Sequence, residues 1–300
     1  VATITTVPGK PLSELARRVA VAVVAIPGTI FIVWLGWLYL GVFCAAVAAL
    51  GAWELYRLAR AGGVKPLDAV GIPLAAFLPL LAVTAPQGVF VLPLGPSAII
   101  ILGLLVAAMS LRVPSEGGRP LSAVAVTVFG IIYTGGMLSF GIAIRYHDYA
   151  VGRAAGTALV MLPLVLTWTN DIGAYAFGRL FGRRKLIPSV SPGKTVAGAV
   201  GGTIVTIVTC WAYVHWVLRP VAELAFAPWW IVGVGLALSI AAQLGDLVES
   251  LLKREAGMKD SSGLIPGHGG VLDRIDSLLF VLPTAYVLFN IPGVLIPAPL

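Results

Sequence analysis

Long apolar runs alternate along the chain with short breaks rich in Pro, Gly and charge, and the length of the runs sets the fold class. A helix needs about 20 apolar residues to cross the hydrocarbon core of a bilayer. Nine segments approach that length: 19–35, 37–57, 67–84, 97–112, 121–144, 155–177, 196–216, 228–251 and 274–292. Only Gly36 divides the first two, and the fourth is short. The pattern predicts an all-α polytopic integral membrane protein of about nine transmembrane helices. No internal repeat of fixed period is present, and no break is long enough for a separate soluble domain. Arg17 and Arg18 precede the first run as they would in a secretory leader. No A-x-A-like site ends that run, so a retained helix is expected.

The breaks supply an orientation. With the N-terminus in the cytoplasm, all of the 20 basic residues except Arg145, Arg153 and Arg219 fall on inner segments. That is the positive-inside bias, which a miscounted span would scramble, and it predicts the C-terminus outside. Composition agrees: 59% of residues are hydrophobic and 11% charged, where soluble domains carry roughly a quarter charged residues. Mean hydropathy is +0.98. The net charge of +7 reflects topology and a cytoplasmic face suited to anions, and argues for no nucleic acid. Cys44 and Cys210 lie far apart inside apolar runs, so buried free thiols are expected. His147 and His215 read as interfacial polar residues, and Trp34, Trp37, Trp229 and Trp230 as membrane-interface belt residues.

Acidic residues divide the chain. Residues 1–150 hold five spans almost free of acid, while residues 151–300 hold four spans and the cytoplasmic loops 178–195 and 252–273. Six of the 13 acids, Asp246, Glu249, Glu255, Asp260, Asp273 and Asp276, fall between 246 and 276. In AAQLGDLVESLLKRE, Asp246, Glu249, Ser250 and Lys253 stand at helical spacing and share one face. Asp273 and Asp276, three apart, do the same where the ninth span begins. Carboxylates at the membrane surface are costly unless paired or bound to a cation. Glu249 and Glu255 are expected to pair with neighbouring basic residues. Asp246, Asp273 and Asp276, beside a Gly-rich turn, are expected to offer oxygen ligands to Mg²⁺, which takes one or two carboxylates plus substrate phosphate.

A second polar stretch, TNDIGAYAFGRLFGRRKLIPSVSPGKT, covers 169–195. Asn170 and Asp171 lie near the end of the sixth span, and the Ser191–Thr195 turn leads into the seventh. Backbone N–H groups at that helix start, with Lys194 and the hydroxyls of Ser191 and Thr195, suit a phosphate. It is not a Walker A loop, since Pro188 stands where the upstream Gly belongs. Arg183, Arg184 and Lys185 read as an anchor to anionic lipid.

The run 250–276, SLLKREAGMKDSSGLIPGHGGVLDRID, resembles the signature of the phosphatidate cytidylyltransferases, or CDP-diacylglycerol synthases. Ser-x-hydrophobic-Lys-Arg, Lys-Asp, Pro-x-His-Gly-Gly and Asp-Arg-hydrophobic-Asp all stand in order. Residues 170–195 are similar to the family's upstream element, and the first five spans match it only in being hydrophobic. Ala197 departs from the Glu or Gln of many relatives. The resemblance implies a homodimeric membrane enzyme, in a bacterial inner membrane with its site on the cytoplasmic side, that makes CDP-diacylglycerol and pyrophosphate from CTP and phosphatidic acid. It also implies Mg²⁺ and an assisting monovalent cation such as K⁺.

On that resemblance Asp246, Asp273 and Asp276 are the expected metal ligands, with Asp260 beside them and Asp171 completing the site or orienting a basic side chain. Lys194, Lys259 and Arg274 are expected to face the phosphates, and His268 to donate to a phosphate oxygen or hold its turn. Asn170, Lys253 and Arg254 are expected substrate contacts, and Gly269 and Gly270 are expected to let N–H groups approach phosphate closely. Three rivals differ in their sequence demands. The Asp-Gly-x2-Ala-Arg pattern of CDP-alcohol phosphotransferases is absent. The His-Gly-Gly-x2-Asp-Arg-x-Asp run speaks against a CTP-dependent polyprenol kinase. A cation or lipid transporter would place its acids near mid-membrane on broken helices, often in repeated halves.

Overall fold

A computed structural model describes residues 11–84, 120–265 and 269–298. Among them, five helices are long and apolar enough to cross a membrane: α2 (Trp37–Ala61), α4 (Pro120–Arg145), α5 (Gly152–Phe181), α6 (Val196–Ala222) and α7 (Pro228–Glu255). Helices α1 (Pro11–Leu35), α3 (Asp68–Thr84) and α8 (Leu272–Phe289) occupy three more of the expected places. In α8 the charges of Asp273, Arg274 and Asp276 interrupt an otherwise apolar sequence. The expected fourth span, 97–112, lies outside the described residues. The chain is thus an all-α polytopic membrane protein, and its helices start and stop close to the apolar runs.

The helices keep their backbone polar groups paired internally, as a lipid environment demands. Thr127, Thr134, Ser139 and Thr206 turn their hydroxyls back to carbonyls four residues earlier. Helix α4 contains a π-helical turn at Ile131–Gly136, and α6 another at Val214–Leu218. Helix α5 is the most enclosed, with 72% of its apolar window buried against 28% for α6. Leu159, Leu162 and Leu166 of α5 pack in one core with Leu238 of α7 and Leu272 and Leu279 of α8.

Small residues set the closest helix contacts. A Cβ at Gly135 would stand 2.2 Å from the Ala75 carbonyl oxygen, which places α4 directly on α3. At Gly202 it would stand 2.9 Å from the Asn170 carbonyl oxygen, fixing α6 against α5, and at Gly245 2.5 Å from the Asp276 carbonyl oxygen, fixing α7 against α8. Backbone approach of this kind is how helices associate where burial from water supplies little drive. The last two contacts lie beside Asp171, Asp246 and Asp276 in sequence, so they set the relative depth of the acids.

Two short antiparallel pairs complete the fold. Strand β1 (Lys185–Ile187) pairs with β2 (Ser191–Thr195), and β3 (Leu224–Phe226) pairs with β4 (Leu295–Pro297). Ser191–Thr195, expected as a turn, is therefore a strand that leads straight into α6. Trp34, Trp37 and Trp229 are exposed, as belt residues should be. His147 is buried, stacked on Tyr149 with Tyr286 edge-on. Both cysteines are free thiols.

Candidate active site

A buried polar network ties α5, α6 and α7 together. Asn170 Oδ1 accepts from Ser239 Oγ at 2.8 Å and from Thr206 Oγ1 at 3.4 Å. Ser239 and Thr203 hydroxyls share a 2.9 Å hydrogen bond, and Gln243 Nε2 donates to both and to the Ala199 carbonyl. Asn170, Thr206 and Ser239 are almost wholly buried. Buried polar groups of this kind are costly when unpaired and rigid when satisfied. Asn170, expected to touch substrate, here has its amide oxygen committed to the joint that holds three helices in register.

Directly beyond that joint, the same helices present charge. Asp171 follows Asn170 on α5, Asp246 lies one turn after Gln243 on α7, and Asp276 lies on α8 behind the Gly245 contact. The three carboxylates are within electrostatic reach of one another, and Arg274 is within the same reach of Asp171. Asp171 and Arg274 are exposed, and Asp246 and Asp276 partly so. Lys194, at the end of β2, reaches across to Asp246 with Nζ 2.7 Å from Oδ2. The Thr195 hydroxyl accepts from Gly198 N at 3.1 Å and caps α6, so its side chain is taken up at the helix start. Ser191 is held in the hairpin opposite Ile187.

Asp273 has a different environment. Its Oδ1 is 2.6 Å from Lys253 Nζ, and its Oδ2 accepts from Gly270 N at 2.7 Å, Ser261 N at 3.0 Å and Ser261 Oγ at 2.9 Å. Lys253 also forms an ion pair with Glu249, whose side chain is fully buried. A cation is thereby held between two buried acids, of which Asp273 also takes the loop donors. Arg254, exposed, donates to the Val190 and Met258 carbonyls at 3.4 and 3.2 Å, which links the hairpin to the loop. Lys259 and Asp260 are exposed on the loop, and His268 lies outside the described residues.

The residue that sequence reasoning missed is Glu54 of α2. It is 0% exposed. Its carboxylate accepts from Ser261 Oγ (2.9 Å), Ser262 Oγ, Val271 N (3.0 Å) and Leu272 N (2.6 Å). The loop after α7 is thus clasped by two carboxylates, Asp273 from below and Glu54 from the side. Gly270 fits between them: a Cβ there would stand 2.0 Å from Ser261 Oγ and 2.5 Å from both Glu54 oxygens. Gly269 has φ +75°, a conformation that glycine adopts without strain. The Gly-Gly turn therefore brings N–H groups up to protein carboxylates, where phosphate was expected. An acid inside the apolar run GAWELYRLAR was the available signal.

Carboxylate oxygens suit a hard cation, and Mg²⁺ usually takes one or two of them plus substrate phosphate and water. Asp171, Asp246 and Asp276 offer such a donor set from three helices. Among the described residues no three acids, histidines or cysteines stand close enough to form a metal site by themselves, so an ion here would need further ligands such as substrate phosphate and water.

Comparison with known proteins bears on what this arrangement serves. Residues 16–292 match the model of the Cytidylyltransferase family. The chain is 31% identical over 271 residues to a phosphatidate cytidylyltransferase of Staphylococcus aureus strain COL, covering 90% of this chain and 97% of that protein. Proteins of the same name from Staphylococcus saprophyticus and Staphylococcus epidermidis are 32% identical over the same length.

Proposed function

The chain belongs to the cytidylyltransferase family, and from that premise we propose that it joins CTP to phosphatidic acid, giving CDP-diacylglycerol and pyrophosphate. The observation that carries this reading is the meeting of Asp171, Asp246 and Asp276 with Lys194 and Arg274 at one end of the helix set. That end is rich in basic residues, and on the orientation argued from charge it faces the cytoplasm, where the nucleotide is. The lipid reaches the same opening from the bilayer. The enzyme acts in a bacterial plasma membrane as a homodimer.

The phosphate of phosphatidic acid is already an anionic nucleophile, so no serine or cysteine has to be activated. One of its oxygens bonds to the α-phosphorus of CTP, and the bond from that phosphorus to the β-phosphate oxygen breaks, releasing pyrophosphate. Bringing two polyanions together and stabilising the leaving group is the difficulty, and positioning with electrostatic complementarity meets it. Lys194 and Arg274 bind and orient the phosphates. Asp171, Asp246 and Asp276 would hold Mg²⁺, which would supply charge neutralisation on the phosphate oxygens when bound; a monovalent cation such as K⁺ would assist. Asp273 acts through Lys253 and Ser261 to fix the loop that carries Lys259 and Asp260.

Isotope placement tests the reading. With CTP labelled at either the α or the γ phosphorus, the purified protein should pass only the α label into the lipid when phosphatidic acid is present. Transfer of the γ label to a lipid alcohol would instead establish a kinase, and no transfer alongside ion flux would establish a transporter.

A further inference from the structure

Helix α2 takes part in the site through Glu54, and three observations say how. First, the partners of its carboxylate are two hydroxyls and two backbone N–H groups, all from the 261–272 segment. Second, Ser261 Oγ lies 2.9 Å from both Glu54 Oε2 and Asp273 Oδ2. Its single proton is shared, so the two carboxylates are bridged by one hydroxyl. Third, the N–H groups of Gly270, Val271 and Leu272 go in turn to Asp273, Glu54 and Glu54. The first free N–H groups of a helix are its anion-binding groups, and here the protein's own acids fill them.

Helix α8 is therefore fixed in rotation and depth at its first turn, and Asp276 lies one turn further along. Gly245 of α7 presses on the backbone at Asp276 and Ser277. Between these two restraints, the direction in which Asp276 faces Asp171 and Asp246 depends on α2. Glu54 is buried and its oxygens are turned to the loop, so it meets neither nucleotide nor lipid.

We propose that Glu54 is a positioning residue for cytidylyl transfer, acting from the N-terminal half through the 261–272 segment and the first turn of α8. The inference rests on the cytidylyltransferase reading. Each carboxylate oxygen accepts from one hydroxyl and one backbone N–H. An amide would turn its NH₂ group toward one of these pairs, leaving a backbone N–H that cannot accept, so Glu54→Gln should loosen the segment while leaving the shape of the side chain.

The test compares the full-length wild type with Glu54→Gln in detergent–lipid micelles. Hydrogen–deuterium exchange should accelerate in the 261–272 segment, by about tenfold or more, with the other helices unchanged. The kcat for CTP and phosphatidic acid should fall on the order of 10- to 100-fold, the usual consequence of removing a supporting partner, with KM for phosphatidic acid little changed. Wild-type kcat in Glu54→Gln, or exchange that accelerates equally in every helix, would overturn the proposal. Should Glu54→Gln not yield folded protein, Glu54→Asp and Ser262→Ala replace it. Both are expected to show the same local exchange change with reduced kcat, and wild-type kcat in both overturns the proposal. A wild type that turns over no CTP would refute the enzymatic reading itself, whatever the exchange data show of Glu54.

Discussion

Lys253 offers the sharpest separation between a residue that binds substrate and one that holds the site together. Its ammonium stands between Glu249 and Asp273, and the side chains of the three are 12%, 0% and 5% exposed. Replacing it with methionine keeps most of the volume and removes the charge that pairs with both acids. Truncating one partner of a buried pair costs about 3–5 kcal/mol, because the other charge is left uncompensated. Here two acids lose the same partner, so the loss should reach at least the lower end of that range. Unfolding in mixed micelles, followed by circular dichroism against mole fraction of SDS, measures it. The double variant Lys253→Met, Glu249→Gln removes one of the stranded charges and should recover a large part of the loss, as replacement of buried ion pairs by neutral groups often does. If Lys253→Met instead unfolds like the wild type and only raises KM for CTP, Lys253 is a substrate contact and the clamp reasoning is refuted.

Other consequences follow from the same contacts. Gly270→Ala forces a methyl into Ser261 and Glu54 and should destabilise by about 1–3 kcal/mol, with loss of turnover, measured by the same unfolding assay beside initial rates. Asn170→Ala leaves Ser239 without its acceptor and should cost about 1–3 kcal/mol; unchanged stability would deny Asn170 its place as the joint of α5, α6 and α7. Thr195→Ala removes the cap of α6 and should cost about 1 kcal/mol, while Thr195→Ser should retain most of it. Lys194→Ala should raise KM for CTP and barely alter unfolding, since the Lys194–Asp246 pair lies at a partly exposed opening and such pairs contribute about 1 kcal/mol or less.

How much of this was legible in the sequence depends on the range of the interaction. Helix places followed from the apolar runs, since in lipid a span must satisfy its own backbone and its length is set by the bilayer. The grouping of Asp246, Glu249 and Lys253 followed from helical spacing, and the Glu249–Lys253 ion pair is a local i, i+4 contact. The roles within the cluster did not follow. Asp273 and Asp276 look equivalent at i and i+3, yet one carboxylate is taken up by Lys253, Gly270 and Ser261, while the other accepts from Ser277 N and lies within electrostatic reach of Asp171 and Asp246. Glu54 meets residues more than 200 positions away, and in sequence it is a lone acid near Arg57 and Arg60, easily read as an interfacial helix end. The β1–β2 hairpin was hidden by its Pro and Gly content, which resembles that of an open turn.

The most direct test of the central claim is pyrophosphate release by the purified protein with phosphatidic acid, Mg²⁺ and CTP, with Asp171→Asn, Asp246→Asn and Asp276→Asn run in parallel. Release that requires CTP and lipid together, and that falls by orders of magnitude in each folded variant, is the predicted result. Release that persists in all three variants would contradict the assignment of the reaction to the place where these helices meet.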